Sequence, residues 1–126
     1  MATVLAGFDV NDSRGDDIRA SLYRKAAKVL ETTSELGLST PNTSGLPIIE
    51  VPLRNADDID AVGRFLYEEG IYVTLAAYPL VPRAEVGFRI HVTAANGDDE
   101  IDELCDTLRK LCDRFPIQRS LQQVVA

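Results

Sequence analysis

The stretch Gly87-Phe88-Arg89-Ile90-His91-Val92-Thr93 alternates apolar and polar side chains with a period of two. That period places Phe88, Ile90 and Val92 on one face of a β-strand and Arg89 and His91 on the other. A strand of this kind needs a core on one side and tolerates water on the other. Working backwards, Ala76 to Val86 holds Pro79 and Pro82 and reads as a loop. Ile71 to Leu75 reads as a second strand, with Ile71, Val73 and Leu75 on one face. Ile48 to Leu53 reads as a third, and Pro52 puts its end at a sheet edge or past the ladder.

Helical periods fill the rest. Asn55-Ala56-Asp57-Asp58 opens a helix, with Asn55 as cap and the aspartates at the positive helix end. Ile59, Val62, Phe65 and Leu66 form its stripe, and Gly70 ends it. Asn96-Gly97-Asp98-Asp99 opens another helix. Its stripe is Ile101, Leu104, Cys105, Leu108, Leu111, Cys112 and Phe115, and Pro116 closes it. From about Asp16, the residues Ile18, Leu22, Ala26, Val29, Thr33 and Leu36 recur at helical spacing before Gly37. Asn11 to Asp17 reads as a polar lead-in loop, and Leu38 to Pro47 as a loop that could hide a short strand.

These elements predict an α+β domain. A helix joins the first two strands, which suggests a parallel relation through a right-handed crossover. The strand around Arg89 follows the second through a loop and suits antiparallel pairing. Placed between the others, it makes a small, mostly antiparallel sheet of three to four strands with helices on one face. The boundaries read as a lead-in over residues 1–15, a domain over 16–116 and a loose tail over 117–126.

Composition narrows the functions. The 126 residues fit one domain, and 45% are hydrophobic, enough for a real core. The net charge of −7 argues against nucleic acid or anionic membrane as a partner. No apolar run approaches the ~20 residues needed to cross a bilayer. Met1 to Val10 lacks the flank and cleavage site of a secretory signal, so a soluble, cytoplasmic protein is expected. Cys105 and Cys112 lie seven residues apart on one helix, a Cα separation of ~10 Å that no disulfide spans. Two cysteines and His91 offer no cluster for a metal.

No catalytic constellation stands alone in the chain. There is no glycine-rich phosphate loop before a helix and no nucleophile elbow. Arg89 is the unusual residue, an arginine in mid-strand. Its fork could clamp a carboxylate through two hydrogen bonds, or it could pair with a nearby acid or lie in solvent. His91 reads as a half-buried strand residue.

Three segments in order carry a resemblance. They are Gly70-Ile71-Tyr72-Val73-Thr74, Tyr78-Pro79-Leu80-Val81-Pro82-Arg83 and Phe88-Arg89-Ile90-His91-Val92-Thr93-Ala94-Ala95. Together they resemble the C-terminal domain of the α-oxoamine synthases, over roughly Asp16 to Phe115. That family includes 8-amino-7-oxononanoate synthase, 2-amino-3-ketobutyrate CoA ligase, 5-aminolevulinate synthase and serine palmitoyltransferase. The resemblance implies the small domain of a fold type I pyridoxal-phosphate enzyme, usually a homodimer. Such enzymes condense an amino acid with an acyl thioester, usually acyl-CoA, with loss of CO2. It implies that Arg89, at the family's second strand arginine, binds the substrate carboxylate.

There are departures. The family's first arginine falls on Gly87, its histidine after Ala-Ala on Asn96, and its glycine after Pro-Arg on Ala84. The Schiff-base lysine, the aspartate for the pyridine nitrogen and the stacking histidine belong, by the same resemblance, to an upstream domain. Lys25, Lys28 and Lys110 match no such motif. The chain alone is therefore expected to bind no cofactor and to have no turnover. Two other readings share this architecture: a free-standing module that binds a small carboxylate through Arg89, and a protein-interaction domain that docks through its open sheet face.

Overall fold

The computed structural model describes residues 1–119. In chain order the elements are α1 (Ala2–Glu35), β1 (Ile48–Pro52), a 3-10 turn (Ala56–Asp58) and α2 (Ile59–Glu68). Next come β2 (Thr74–Ala76), a second 3-10 turn (Arg83–Glu85), β3 (Gly87–His91) and α3 (Asp98–Arg114). The sheet order is β1-β3-β2, with β3 antiparallel to both neighbours. This is the predicted α+β sheet with the Arg89 strand at its centre.

Alternation along the strands separates two faces. Ile49 pairs with Ile90 and Val51 with Phe88, and all four are buried. They pack against Val62 and Leu66 of α2, Val29 of α1, and Ile101, Leu104, Cys105, Leu108 and Leu111 of α3. Phe65 meets Phe115 edge-on at 6.0 Å between ring centroids, closing the core at the end of α3. Among the described residues, helices thus cover one face and leave the Arg89 face free.

The helix ends obey local rules. Asn55 Oδ1 accepts from the Asp57 backbone N–H at 3.2 Å, the expected cap. Gly70 takes φ 82°, a left-handed value suited to glycine, and the Ile71 N–H returns to the Leu66 carbonyl at 2.8 Å. Asn96 behaves differently from Asn55. It reaches backwards, its Oδ1 accepting from the Thr93 N–H at 2.8 Å and the Thr93 hydroxyl at 2.9 Å. The α3 cap is Gly97, whose N–H donates to Glu100 at 3.3 Å.

Ion pairs tie α1 to α3: Arg24–Asp98, Lys28–Asp102 and Arg109–Glu35. Each joins residues the same distance apart in sequence, so the two helices run parallel. Asp102 holds the Lys28 ammonium above its ordinary pKa by hydrogen bonding to it. All three pairs are well exposed and contribute little to stability individually.

Three expectations need correction. Residues 11–17 are not a loop, because α1 runs unbroken from Ala2. Short polar side chains are satisfied within the helix. Ser13 donates to the Asp9 carbonyl at 2.8 Å, and Arg19 bonds Asn11 and Asp16 at 2.7 Å each. The residues before Leu22 nonetheless lie away from the core, with Val4, Leu5 and Phe8 more than half exposed.

The second strand begins at Thr74 rather than Ile71. The Gly70 turn swings the chain away from β3, and Ile71 and Val73 pack on the core without joining the ladder. At the other end, residues 117–119 are not loose. Ile117 is buried and bridges Leu53, and Arg119 bridges Leu38. The remainder of the expected tail, residues 120–126, lies outside the described residues. Leu38 makes only this bridge, and the loop after it is stapled by Asn42, which donates to the carbonyls of Leu46 and Ile48 at 2.7 Å.

Candidate functional site

Register builds the site. On the open face one row crosses all three strands: Glu50 on β1, Arg89 on β3 and Thr74 on β2. The next row is Pro52, Gly87 and Ala76. Its small side chains leave a hollow beside Arg89. The walls come from Ser39, Thr40 and Pro41 on one side and from Val81, Ala84 and Glu85 on the other, with Gln118 between them. The cavity volume is about 360 Å³, the size of a small-molecule site. Gln118 fixes the wall by donating to the Ala84 carbonyl at 2.9 Å. Arg83 lies over the Tyr78 ring at 4.8 Å, which holds the other end of that loop.

Arg89 is half-exposed at the centre. Its closest ionic neighbour is Glu50, with Nε 3.3 Å from Oε1. That distance alone would suggest a hydrogen bond, but the direction is wrong for one, and Nε is buried without a partner. The pair is therefore a charge contact rather than a hydrogen bond. Among the described residues no hydrogen bond engages the two Nη groups. They are the guanidinium's usable end.

Gly87 has a structural reason. A Cβ there would lie 2.1 Å from the Val51 carbonyl oxygen and 2.7 Å from Pro52 Cα. No side chain fits unless β1 moves. The site therefore has one arginine, as the departure from the family pattern at Gly87 implies.

His91 shares the open face but is exposed rather than half-buried, and it sits opposite Ile48. It lines a separate hollow of about 230 Å³ with Tyr72 and Glu100, so it does not join Arg89. Glu50 was not singled out by the sequence. Its signal was present as a lone acid between Ile49 and Val51, but its partner depends on register.

The lysines test whether a pyridoxal-phosphate aldehyde could be held here. Lys25 is buried, donating to the Ala94 carbonyl at 2.9 Å. Lys28 is bound to Asp102, and Lys110 to Glu69 at 3.2 Å. None reaches the Arg89 cavity, so these residues do not fit that cofactor. Among the described residues, no group of three or more His, Cys, Asp or Glu side chains could hold a metal ion. No helix there is long and apolar enough to cross a membrane. Cys105 and Cys112 are free thiols.

No known family model matches the chain. Individual proteins do. It is 31% identical over 109 residues to 8-amino-7-oxononanoate synthase of Aromatoleum aromaticum, covering 86% of this chain and 28% of that protein. It is 30% identical over 97 residues to 2-amino-3-ketobutyrate coenzyme A ligase of Salmonella typhimurium, covering 77% and 24%. A solved serine palmitoyltransferase with pyridoxal phosphate as internal aldimine superposes with a TM-score of 0.73 at 18% identity, over 79% of this chain and 25% of that one. The chain is a relative of the α-oxoamine synthases. This oxoamine-synthase relative has the fold of the C-terminal domain of those enzymes. It spans about a quarter of the length of the proteins it matches.

Proposed function

We propose that this chain is the small domain of a pyridoxal-phosphate acyltransferase of the α-oxoamine synthase type, and that Arg89 holds the substrate carboxylate. The observation that carries this is the guanidinium itself. Its Nε is buried beside Glu50 without a partner, and the residue lines a 360 Å³ cavity with no hydrogen bond from its guanidinium to the described protein. A planar fork presented in this way accepts a carboxylate end-on through two parallel bonds. Gln118 and the residue 81–85 wall shield one side of the cavity from bulk water, which strengthens the pairing.

The chain's part is binding and orientation. The cofactor, held by residues outside this chain, would supply an electron sink for decarboxylative condensation with an acyl thioester. A second domain supplies the lysine, because Lys25, Lys28 and Lys110 are all committed elsewhere. The assembled enzyme is a cytoplasmic homodimer that takes an amino acid and an acyl-CoA, with neither nucleic acid nor membrane as partner.

The test is Arg89→Ala in the enzyme that contains this domain. Amino-acid binding weakens by about 2 kcal/mol, roughly thirtyfold. KM for the amino acid rises while KM for the acyl donor holds. An unchanged amino-acid KM and kcat would overturn the assignment. Separately, the chain alone with pyridoxal phosphate and borohydride forms no stoichiometric adduct on any one lysine.

A further inference from the structure

The cavity around Arg89 carries more negative than positive charge. Among the described lining residues Arg89 is the one cation, against two carboxylates, Glu50 and Glu85. Glu50 is the closer and the better placed. It sits directly opposite Arg89 in the β1–β3 register, is itself half-exposed, and brings Oε1 to 3.3 Å of Nε. On the far side of Arg89 the same row offers only the Thr74 hydroxyl. Within that row, Arg89 therefore has an acid on its β1 side and a neutral hydroxyl on its β2 side, while Glu85 stands in the wall formed by residues 81–85.

We propose that Glu50 is a specificity-determining residue, which makes the cavity select a monocarboxylate bearing a cationic amino group next to the carboxylate. The proposal rests on Arg89 as the carboxylate clamp and adds what lies beside it. A carboxylate seated on the Nη fork puts a second anion next to the same guanidinium that Glu50 already contacts. Two anions sharing one cation repel each other, and a simple acid such as acetate feels that repulsion in full. An α-ammonium on the ligand faces Glu50 and turns the repulsion into a charge-assisted hydrogen bond. A dicarboxylate brings a further anion into a cavity that already holds two. Selection thus comes from a repulsive element as much as from an attractive one.

Glu50 also fixes the docking direction. Because its carboxylate stands beside the buried Nε, the side-on approach through Nε and one Nη is closed. The ligand must come end-on, and its α-substituent then lies toward either Glu50 or Thr74.

Titration of the full chain tests this, read at the Arg89 Nε–Hε signal by NMR with glycine, acetate and succinate as probes. Glycine should bind about tenfold more tightly than acetate, the ratio of one charge-assisted hydrogen bond, and succinate no better than acetate. Glu50→Gln, nearly isosteric and on the open face, should bring the glycine-to-acetate ratio close to one, with acetate gaining affinity. Glu50→Asp should restore part of the preference, which a merely structural role would not do. A preference unchanged in Glu50→Gln would overturn the role of Glu50 and leave Arg89 as the clamp. If none of the three probes moves the Arg89 signal in either protein, the clamp itself falls and this inference falls with it.

Discussion

The two faces of the β1–β3 ribbon are built from alternate residues of the same five-residue strands, yet they do opposite work. On one face, Ile49, Val51, Phe88 and Ile90 are buried and continuous with three helices. On the other, Glu50, Arg89 and His91 stand at least partly in water, and two of them carry opposed charges. A single shift in register would exchange the faces. The core face therefore holds the register, and register alone sets Glu50 against Arg89. Stability is stored on one side, which leaves the other free of packing demands.

Substitutions can break that division, beginning with the core. Phe88→Ala should cost about 3–5 kcal/mol, since it empties a fully buried ring site between sheet and helices. Thermal or urea unfolding would show it, and a loss under 1 kcal/mol would mean the two faces are not energetically distinct. Gly87→Ala should cost about 1–3 kcal/mol through overlap with the β1 backbone, and it should weaken ligand binding at Arg89 because β1 must retreat. Arg89→Ala should change stability by less than about 0.5 kcal/mol while weakening carboxylate binding roughly thirtyfold. A large stability loss there would make Arg89 part of the scaffold.

The smallest effect belongs to the helical layer behind the core. Burial pushes the Cys112 thiol above its ordinary 9.0, with Arg119 pulling the other way. Folding favours the neutral thiol, so its contribution is whole below pH 9 and fades as pH climbs through the raised value. Being only partly buried, it is worth only a small amount. Alkylation at pH 8 should be slower than for a peptide thiol and should speed up on unfolding.

Much of the core face was legible in the sequence. Phe88, Ile90 and Val92 announce their period, and the α2 and α3 stripes land on the core almost residue for residue. What escaped depended on tertiary placement. The continuity of α1 through Asn11 to Asp17 was hidden because polar residues that bond their own helix have the composition of a loop. The pairing of Ile117 and Arg119 depends on strand ends far away in sequence. The candidate site was half legible. Arg89 stood out as an arginine in a strand, and the resemblance to the oxoamine synthases implied a role for it. Glu50 did not stand out, because nothing local indicates which residue a strand will face.

Gly87 also bears on how such a site can change over generations. With β1 pressed against its α-carbon, this position cannot acquire a second arginine by one mutation, since any replacement must first displace the neighbouring strand. Variation is steered instead towards the β1 side and the residue 39–41 wall, where side chains already face open space. Descendants of this domain can alter what sits beside the arginine more readily than they can add another.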